Sequence, residues 1–359
     1  MKTVLYFGIF DKDFSRNKVY ADGLKQHGIA VLYCIDKSRG PIKFIKLFFK
    51  LWGFRGQYDA VIVGYPGYIV VPFARLFSIL ISVFTFSKQK PILFDALCSF
   101  YESQIISRDA YQGNPFRFLY VRTVDWLSTR SADKILLETQ AQKDYFIGNL
   151  GVPEEKCIVV YTGVDETVFI RDSQLQKNET FTVLFRGRIT KEAGVTTILK
   201  AAKILEEKGI DFLIVGFGWG SAIKEFNETM TSLKLKNLTH KKEQLPYSEL
   251  IPLISKCHVS LGQFSTNERL KRTIPHKAFE ALTMKIPYIT ARGGAVSEIF
   301  QDGFNCIMTN PDDAKDLAEK ILMVRDNSQM AESITENGFK IFKERFTAAK
   351  IVEPIIKNI

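Results

Sequence analysis

Disulfide chemistry is the first thing this sequence has too little material for. Its five cysteines, Cys34, Cys98, Cys157, Cys257 and Cys306, are odd in number and widely spaced. That excludes a fully paired disulfide framework and points to reduced thiols in a cytosol. The four histidines stand at no metal-ligand spacing from them, so no metal site is expected. A long apolar run is missing from the start, where charges interrupt MKTVLYFGIFDKDFSRN early; this argues against a signal peptide. Residues 68–86 come closest to an apolar run, but Pro72 and Arg75 break it, and its length sits near the lower limit for a bilayer span. It reads as a helix packed on a sheet or dipped at an interface.

Acidic residues are scarce in one place. The chain carries 49 Lys+Arg against 39 Asp+Glu, a formal net charge of +10. Between Lys37 and Lys90 nine Lys/Arg face a single acid, Asp59, a local excess of +8. Such a block suits nucleic acid, an anionic membrane surface or a phosphorylated substrate. Inside it, residues 41–54 place Phe44, Leu47, Phe48, Leu51 and Trp52 on one stripe and Lys43, Lys46 and Lys50 on the other side. Two readings stand side by side: an interfacial helix, or a sheet-packing helix with solvated lysines.

What is present is α/β punctuation. At 359 residues two domains are expected, each with its own core. VLYFG (4–8), AVLYCI (30–35), DAVIVGYP (59–66) and PILFD (91–95) read as strands, with a helix from about Ser15 to His27 between the first two. Asp95 ends its strand at the carboxyl edge, where open parallel sheets bind ligands. Residues 96–113 are loop-rich, and a helix follows from about Pro115 to Ser131. From 180 the pattern restarts: a strand, a Gly187-Arg188 turn and a helix opening near Gly194, then a strand followed by Gly216-x-Gly218. Such glycines let backbone approach a ligand closely.

The chain is organised around Ile274–Phe300. Thr273 and Pro275 read as a helix start, and Ala278, Ala281, Leu282 and Met284 have helical apolar spacing with Glu280 on another face. Pro287 ends that helix, PYIT reads as a short buried strand, and Gly293-Gly294 turns into a second helix at about Ala295. Helix N-termini attract phosphate, and a fixed carboxylate such as Glu280 can accept two hydrogen bonds from the neighbouring hydroxyls of a ribose.

Pro275, Lys277, Glu280, Ala281, Pro287, Gly293, Gly294 and Glu298 together resemble the C-terminal signature of family-4-type glycosyltransferases of the GT-B fold. Gly163, Val164, Asp165 and Phe169 resemble that family's domain junction. The resemblance covers the whole chain, strongly over 150–310 and loosely before. It implies an α/β fold of two Rossmann-like domains facing each other across a cleft: an acceptor-side domain at 1–168 with a returning helix at 345–359, and a nucleotide-sugar-binding domain at 169–344. It implies retaining, metal-independent transfer from a nucleotide-diphosphate sugar, with no further cofactor. Arg188 and Lys191 are expected on the diphosphate and Glu280 on the ribose. Gly187, Gly216, Gly218, Lys277, Gly293 and Gly294 are expected around the donor. Gly8, Ser15 and Arg16 are expected on the acceptor side, with Asp95 a catalytic candidate beside them or a strand-end cap. Asp11-Lys12-Asp13 matches the metal motif of the other large glycosyltransferase fold, but its first-loop position reads as solvated acids. The implied setting is assembly of a surface polysaccharide or glycolipid, peripheral at the cytoplasmic membrane face, with a lipid-linked or saccharide acceptor and no nucleic acid.

Two positions depart from the family. The Lys expected five residues after Arg188 is Ala193, with Lys191 nearby; the Glu expected eight residues before Glu280 is Arg272, which suits an acidic or phosphorylated group. They keep a rival open, a catalytically silent GT-B partner subunit. The basic block permits another, a nucleic-acid-modifying glycosyltransferase, although its Phe/Leu content suits lipid better.

Overall fold

A computed structural model describes residues 1–107 and 113–359; residues 108–112 of the loop-rich 96–113 stretch lie outside the described residues. The chain divides into two compact units, Met1–Gly163 with Phe346–Ile359, and Val164–Arg345.

The first unit is built on β1 (Thr3–Gly8), α1 (Ser15–Gln26), β2 (Ala30–Ile35), α2 (Ile42–Gly53), β3 (Ala60–Val63), α3 (Val70–Thr85), β4 (Ile92–Leu97), α4 (Pro115–Ser131), β5 (Lys134–Leu137), α5 (Gln140–Leu150) and β6 (Cys157–Val159). Its strands pair in parallel in the order β2-β1-β3-β4-β5-β6. Strands covered on both faces need apolar residues at successive positions, as in the fully buried Val4-Leu5-Tyr6-Phe7. Alternate positions divide the work: Leu5, Phe7, Val61 and Phe94 pack with Leu47, Phe77, Val124 and Phe146 from α2–α5. No helix among the described residues is long and apolar enough to cross a membrane.

The second unit runs β7 (Phe181–Arg186), α6 (Val195–Ile204), β8 (Ile210–Val215), α7 (Gly220–Leu233), β9 (Leu238–Lys241), α8 (Tyr247–Ser255), β10 (Val259–Leu261), α9 (His276–Thr283), β11 (Tyr288–Ala291), β12 (Ile307–Thr309), α10 (Ala314–Asp326) and α11 (Ser328–Arg345). Its strands also pair in parallel, in the order β12-β11-β10-β7-β8-β9. The helix expected from Ala295 is a single 3-10 turn, Val296–Glu298, because the chain turns back at once to bury Ile299 and Phe300. The tail then forms two short helices, α12 (Ala348–Ile351) and α13 (Glu353–Ile356), within the first unit.

The tail is held by close backbone packing. A Cβ on Gly23 of α1 would lie 2.2 Å from the carbonyl oxygen of Ala348, an approach only glycine permits. Gly23→Ala is therefore expected to cost about 1–3 kcal/mol in urea denaturation and to lower hydrogen-exchange protection over residues 346–359. Gly148→Ala in α5 places its new Cβ within 4 Å of nothing and should be neutral or stabilise by up to about 1 kcal/mol. Equal midpoints for the two variants would show that α12 yields freely to the extra methyl.

Candidate functional site

The second unit gathers its charged side chains where β7 ends. Five apolar or small residues precede Arg186, whose half-buried side chain leaves at the carboxyl edge of the sheet. Gly187 follows with φ +143°, and a Cβ there would stand 3.2 Å from Lys277 Nζ. Gly187 N–H donates to the Val215 carbonyl (3.0 Å) and Ile189 N–H to the Phe217 carbonyl (2.9 Å). The two chains thus stay laddered past the paired residues of β7 and β8.

Two side chains of α9 meet this edge, because the i, i+3 spacing puts Lys277 and Glu280 on one face. Arg186 Nη1 donates to Glu280 Oε1 in an ion pair, and its guanidinium lies 5.6 Å from the Phe169 ring centroid. Glu280 is only 7% exposed, so Arg186 compensates a charge that would otherwise be costly to bury. Lys277 is equally buried at 7%. Its Nζ donates to the Gly262 carbonyl at 3.3 Å and lies 3.7 Å from the Phe185 ring centroid. Burial pulls this ammonium down to about 7, with Arg186 adding to the effect and Glu280 opposing it.

The other donor-side residues stand around this cluster rather than in it. Arg188 is exposed, its guanidinium 5.4 Å from the Trp219 ring centroid. Lys191 is exposed on the one-turn helix Lys191–Ala193, whereas Ala193 is fully buried; position 193 offers no cation. Gly216 and Gly218 serve close packing: a Cβ on either would fall 1.8 Å from the Gly187 carbonyl oxygen or 2.5 Å from that of Ile189. Gly293 and Gly294 lie against the carbonyls of Leu270 and Lys271, at 3.2 and 3.0 Å from an added Cβ. Arg272 follows that segment half-buried, and its N–H donates to the Arg269 carbonyl at 3.0 Å. The residue that sequence reasoning missed is Arg186. The available signal was a charge ending an apolar strand at the edge where open sheets bind ligands.

In the first unit Gly8 (φ +143°) ends β1 and Ser15 is half-buried at the start of α1. Arg16, expected on the acceptor side, and Asp95, read as a catalytic candidate or a strand-end cap, are both 0% exposed. Arg16 Nε donates to Asp95 Oδ1 at 2.8 Å, and Nη1 to the Val160 carbonyl and Thr162 Oγ1, each at 3.1 Å. Asp95 projects opposite to Phe94, toward α1 instead of the α2–α5 side, as strand alternation requires. Burial pushes its carboxyl up, and Arg16 pulls it back toward the charged form. Asp11 and Asp13 are exposed, with Asp11 3.4 Å from Lys37.

Asp95→Asn is therefore expected to destabilise the chain by about 3–5 kcal/mol, since Arg16 stays buried with its charge uncompensated. Replacing the pair together, Arg16→Met with Asp95→Leu, should recover most of that loss in the same denaturation experiment. An Asn variant with a wild-type midpoint and lost activity would return Asp95 to a chemical role.

Residues 167–341 match the family described as glycosyl transferases group 1. An uncharacterized glycosyltransferase of Methanocaldococcus jannaschii is 25% identical over 232 residues, 64% of this chain and 60% of that relative's own length. The N,N'-diacetylbacillosaminyl-diphospho-undecaprenol alpha-1,3-N-acetylgalactosaminyltransferase of Campylobacter jejuni is 21% identical over 287 residues, 74% of this chain and 71% of that one. In fold, the chain resembles the crystal structure of Anabaena HepE in complex with UDP-glucose, with a TM-score of 0.71 at 18% identity, over 100% of this chain and 99% of that one. With two six-stranded parallel sheets, this chain shares the two-domain α/β fold of that structure, and its residues 167–341 carry the match to the glycosyl transferases group 1 family.

Proposed function

We propose that this protein transfers a sugar, with retention and without a metal, from a nucleotide-diphosphate sugar to a lipid-linked or saccharide acceptor at the cytoplasmic face of a membrane. The observation that carries the reading is the cluster of Arg186, Lys277 and Glu280 at the carboxyl edge of β7, inside the group 1 segment. Glu280 uses Oε1 for Arg186, and its second oxygen, which has no hydrogen-bond partner among the described residues, accepts from ribose hydroxyls. The exposed Arg188 and Lys191 meet the diphosphate from outside, and fixed positive groups stabilise the charge that develops on it as the sugar leaves. The Anabaena structure holds UDP-glucose, which makes UDP the first nucleotide to test. The Campylobacter relative's name places its substrate on a diphospho-undecaprenol, the chemistry of a lipid-linked acceptor.

The first unit supports the membrane setting more broadly than the sequence suggested. The stripe Phe44, Leu47, Phe48, Leu51 and Trp52 packs inward, so that face of α2 is a sheet-packing face. The outer face is apolar as well: Phe49 is 66% exposed, Phe84 of α3 67% and Phe86 98%, beside the exposed Ile45 and Val83. The helices adjoin, with Trp52 and Phe84 ring centroids 6.1 Å apart. Exposed apolar groups among the lysines of the basic block are the composition of an interfacial surface. Lys50 is tied to Asp36 Oδ2 (2.9 Å) and the Ile35 carbonyl (2.7 Å), and Lys46 to Ser38 Oγ (2.9 Å), so the aromatic residues are the better probes.

Two measurements test the proposal. Glu280→Gln is expected to lower UDP affinity by calorimetry roughly 10- to 100-fold, the worth of a charged hydrogen bond at about 1.5–3 kcal/mol, with the thermal transition still cooperative. A wild-type chain that binds no nucleoside diphosphate would leave the silent partner subunit standing. On the membrane side, wild type should sediment with phosphatidylserine-containing vesicles and detach in high salt, and Phe49→Glu with Phe84→Glu should stay in solution. Retained vesicle binding by that double variant, or tighter binding to DNA than to vesicles, would overturn this assignment of the outer face.

A further inference from the structure

The cluster at the end of β7 holds two cations in unlike states. Arg186 is neutralised by Glu280. Lys277 is as buried as Glu280, yet among the described residues its ammonium donates to only one acceptor, the Gly262 carbonyl at 3.3 Å. An ammonium has three N–H donors, and a buried charge without full hydrogen bonding is costly. One side of Lys277 Nζ is covered by the Phe185 ring, 3.7 Å from its centroid. Another side is kept open by Gly187, where an added Cβ would stand 3.2 Å from Nζ and 3.3 Å from Cε. The opening therefore lies at the turn that leads from β7 to Arg188, and the buried Ala193 supplies no charge beyond it.

We infer that Lys277 is the interior cation of the phosphate subsite: its two unfilled N–H donors are completed by oxygens of the donor's diphosphate, arriving over Gly187. This rests on the donor-site reading above and adds to it the residue that replaces the missing cation at position 193, together with a proton linkage. The charged groups that act on Lys277 are Arg186 of β7 and Glu280 of α9; β10 ends toward it with the Gly262 carbonyl. With the free ammonium held at about 7 instead of 10.5 by burial, the ammonium is largely deprotonated above neutral pH. A diphosphate restores the charged form, so binding takes up a proton there, and affinity falls as pH rises, by up to about tenfold per unit. The same shift acts on folding. Between about 7 and 10.5 the unfolded chain holds a proton the folded one has released, so stability rises with pH across that window.

Lys277→Met keeps the length of the side chain and removes the charge. A purely structural lysine predicts loss of stability on this change. A phosphate ligand predicts a thermal midpoint at pH 7 equal to or above wild type, with UDP affinity lowered roughly 10- to 100-fold and uridine affinity unchanged. Calorimetry of UDP at pH 8 in buffers of different ionisation enthalpy should show proton uptake in wild type and little in Lys277→Met. Equal UDP affinity in the two proteins, or equal proton uptake, would overturn the assignment of Lys277 while leaving the donor site in place. If wild type binds none of UDP, GDP, ADP and dTDP, both readings fall together.

Discussion

A side chain on Gly216 would bring its Cβ within 1.8 Å of the Gly187 carbonyl oxygen. That backbone approach is the constraint from which the second unit's site follows. It lets the chains leaving β7 and β8 stay hydrogen-bonded beyond their strands, through Gly187 to Val215 and Ile189 to Phe217. The turn is thereby held in a conformation, φ +143° at Gly187, that side-chain-bearing residues rarely adopt. With no Cβ in the way, Lys277 reaches from α9 across the end of the sheet, and Arg186 closes on Glu280 beside it. Two glycines, each at the end of one of two neighbouring strands, thus decide where three charged residues stand.

The molecule buries cations in two ways, and the difference separates structure from chemistry. Arg16 is wholly buried, but its guanidinium spreads over Asp95, Val160 and Thr162 and lies 4.7 Å from the Tyr20 ring centroid. It joins α1 to β4 and to the segment after β6, and its charge is answered on the spot. Lys277 has one carbonyl and one aromatic face. Burial without matching partners is what depresses an ammonium, and groups of that kind gather at functional sites. Arginine suits the first role because its charge is always present and its fork bonds several acceptors at once; lysine suits the second because it can give its proton up.

The first unit carries a different imbalance. α2 and α3 turn apolar residues inward to the sheet and outward to the surface alike. A helix apolar on both sides is normally covered on both. Here the outer side is exposed and belongs to the 37–90 segment, which carries nine Lys/Arg against one acid, so the same stretch of chain presents both apolar and basic side chains.

Much of this was legible in the sequence because parallel strands covered on both faces spell themselves as apolar runs, and glycines and prolines mark the turns between them. β1, β2, β7, β8 and α9 follow from such runs, and the glycine turns and the face of Glu280 from their spacing, whereas Lys277 was singled out by the family resemblance alone. β9 was not legible: Leu-Thr-His-Lys sits at a sheet edge and needs little burial. The helix read at Ala295 failed because local spacing cannot show that the chain must fold back to bury Ile299 and Phe300. Asp95 at a carboxyl edge looked reactive, and only the position of Arg16, 79 residues away in sequence, made it a structural partner. Sequence by itself determined the alternation of strands and helices, the turn glycines and the kinds of charge available, since these depend on local backbone preference and periodicity. Tertiary structure alone decided which charges are answered and which are left open, because a charge's state depends on the neighbours and the solvent that remote segments bring to it or take away.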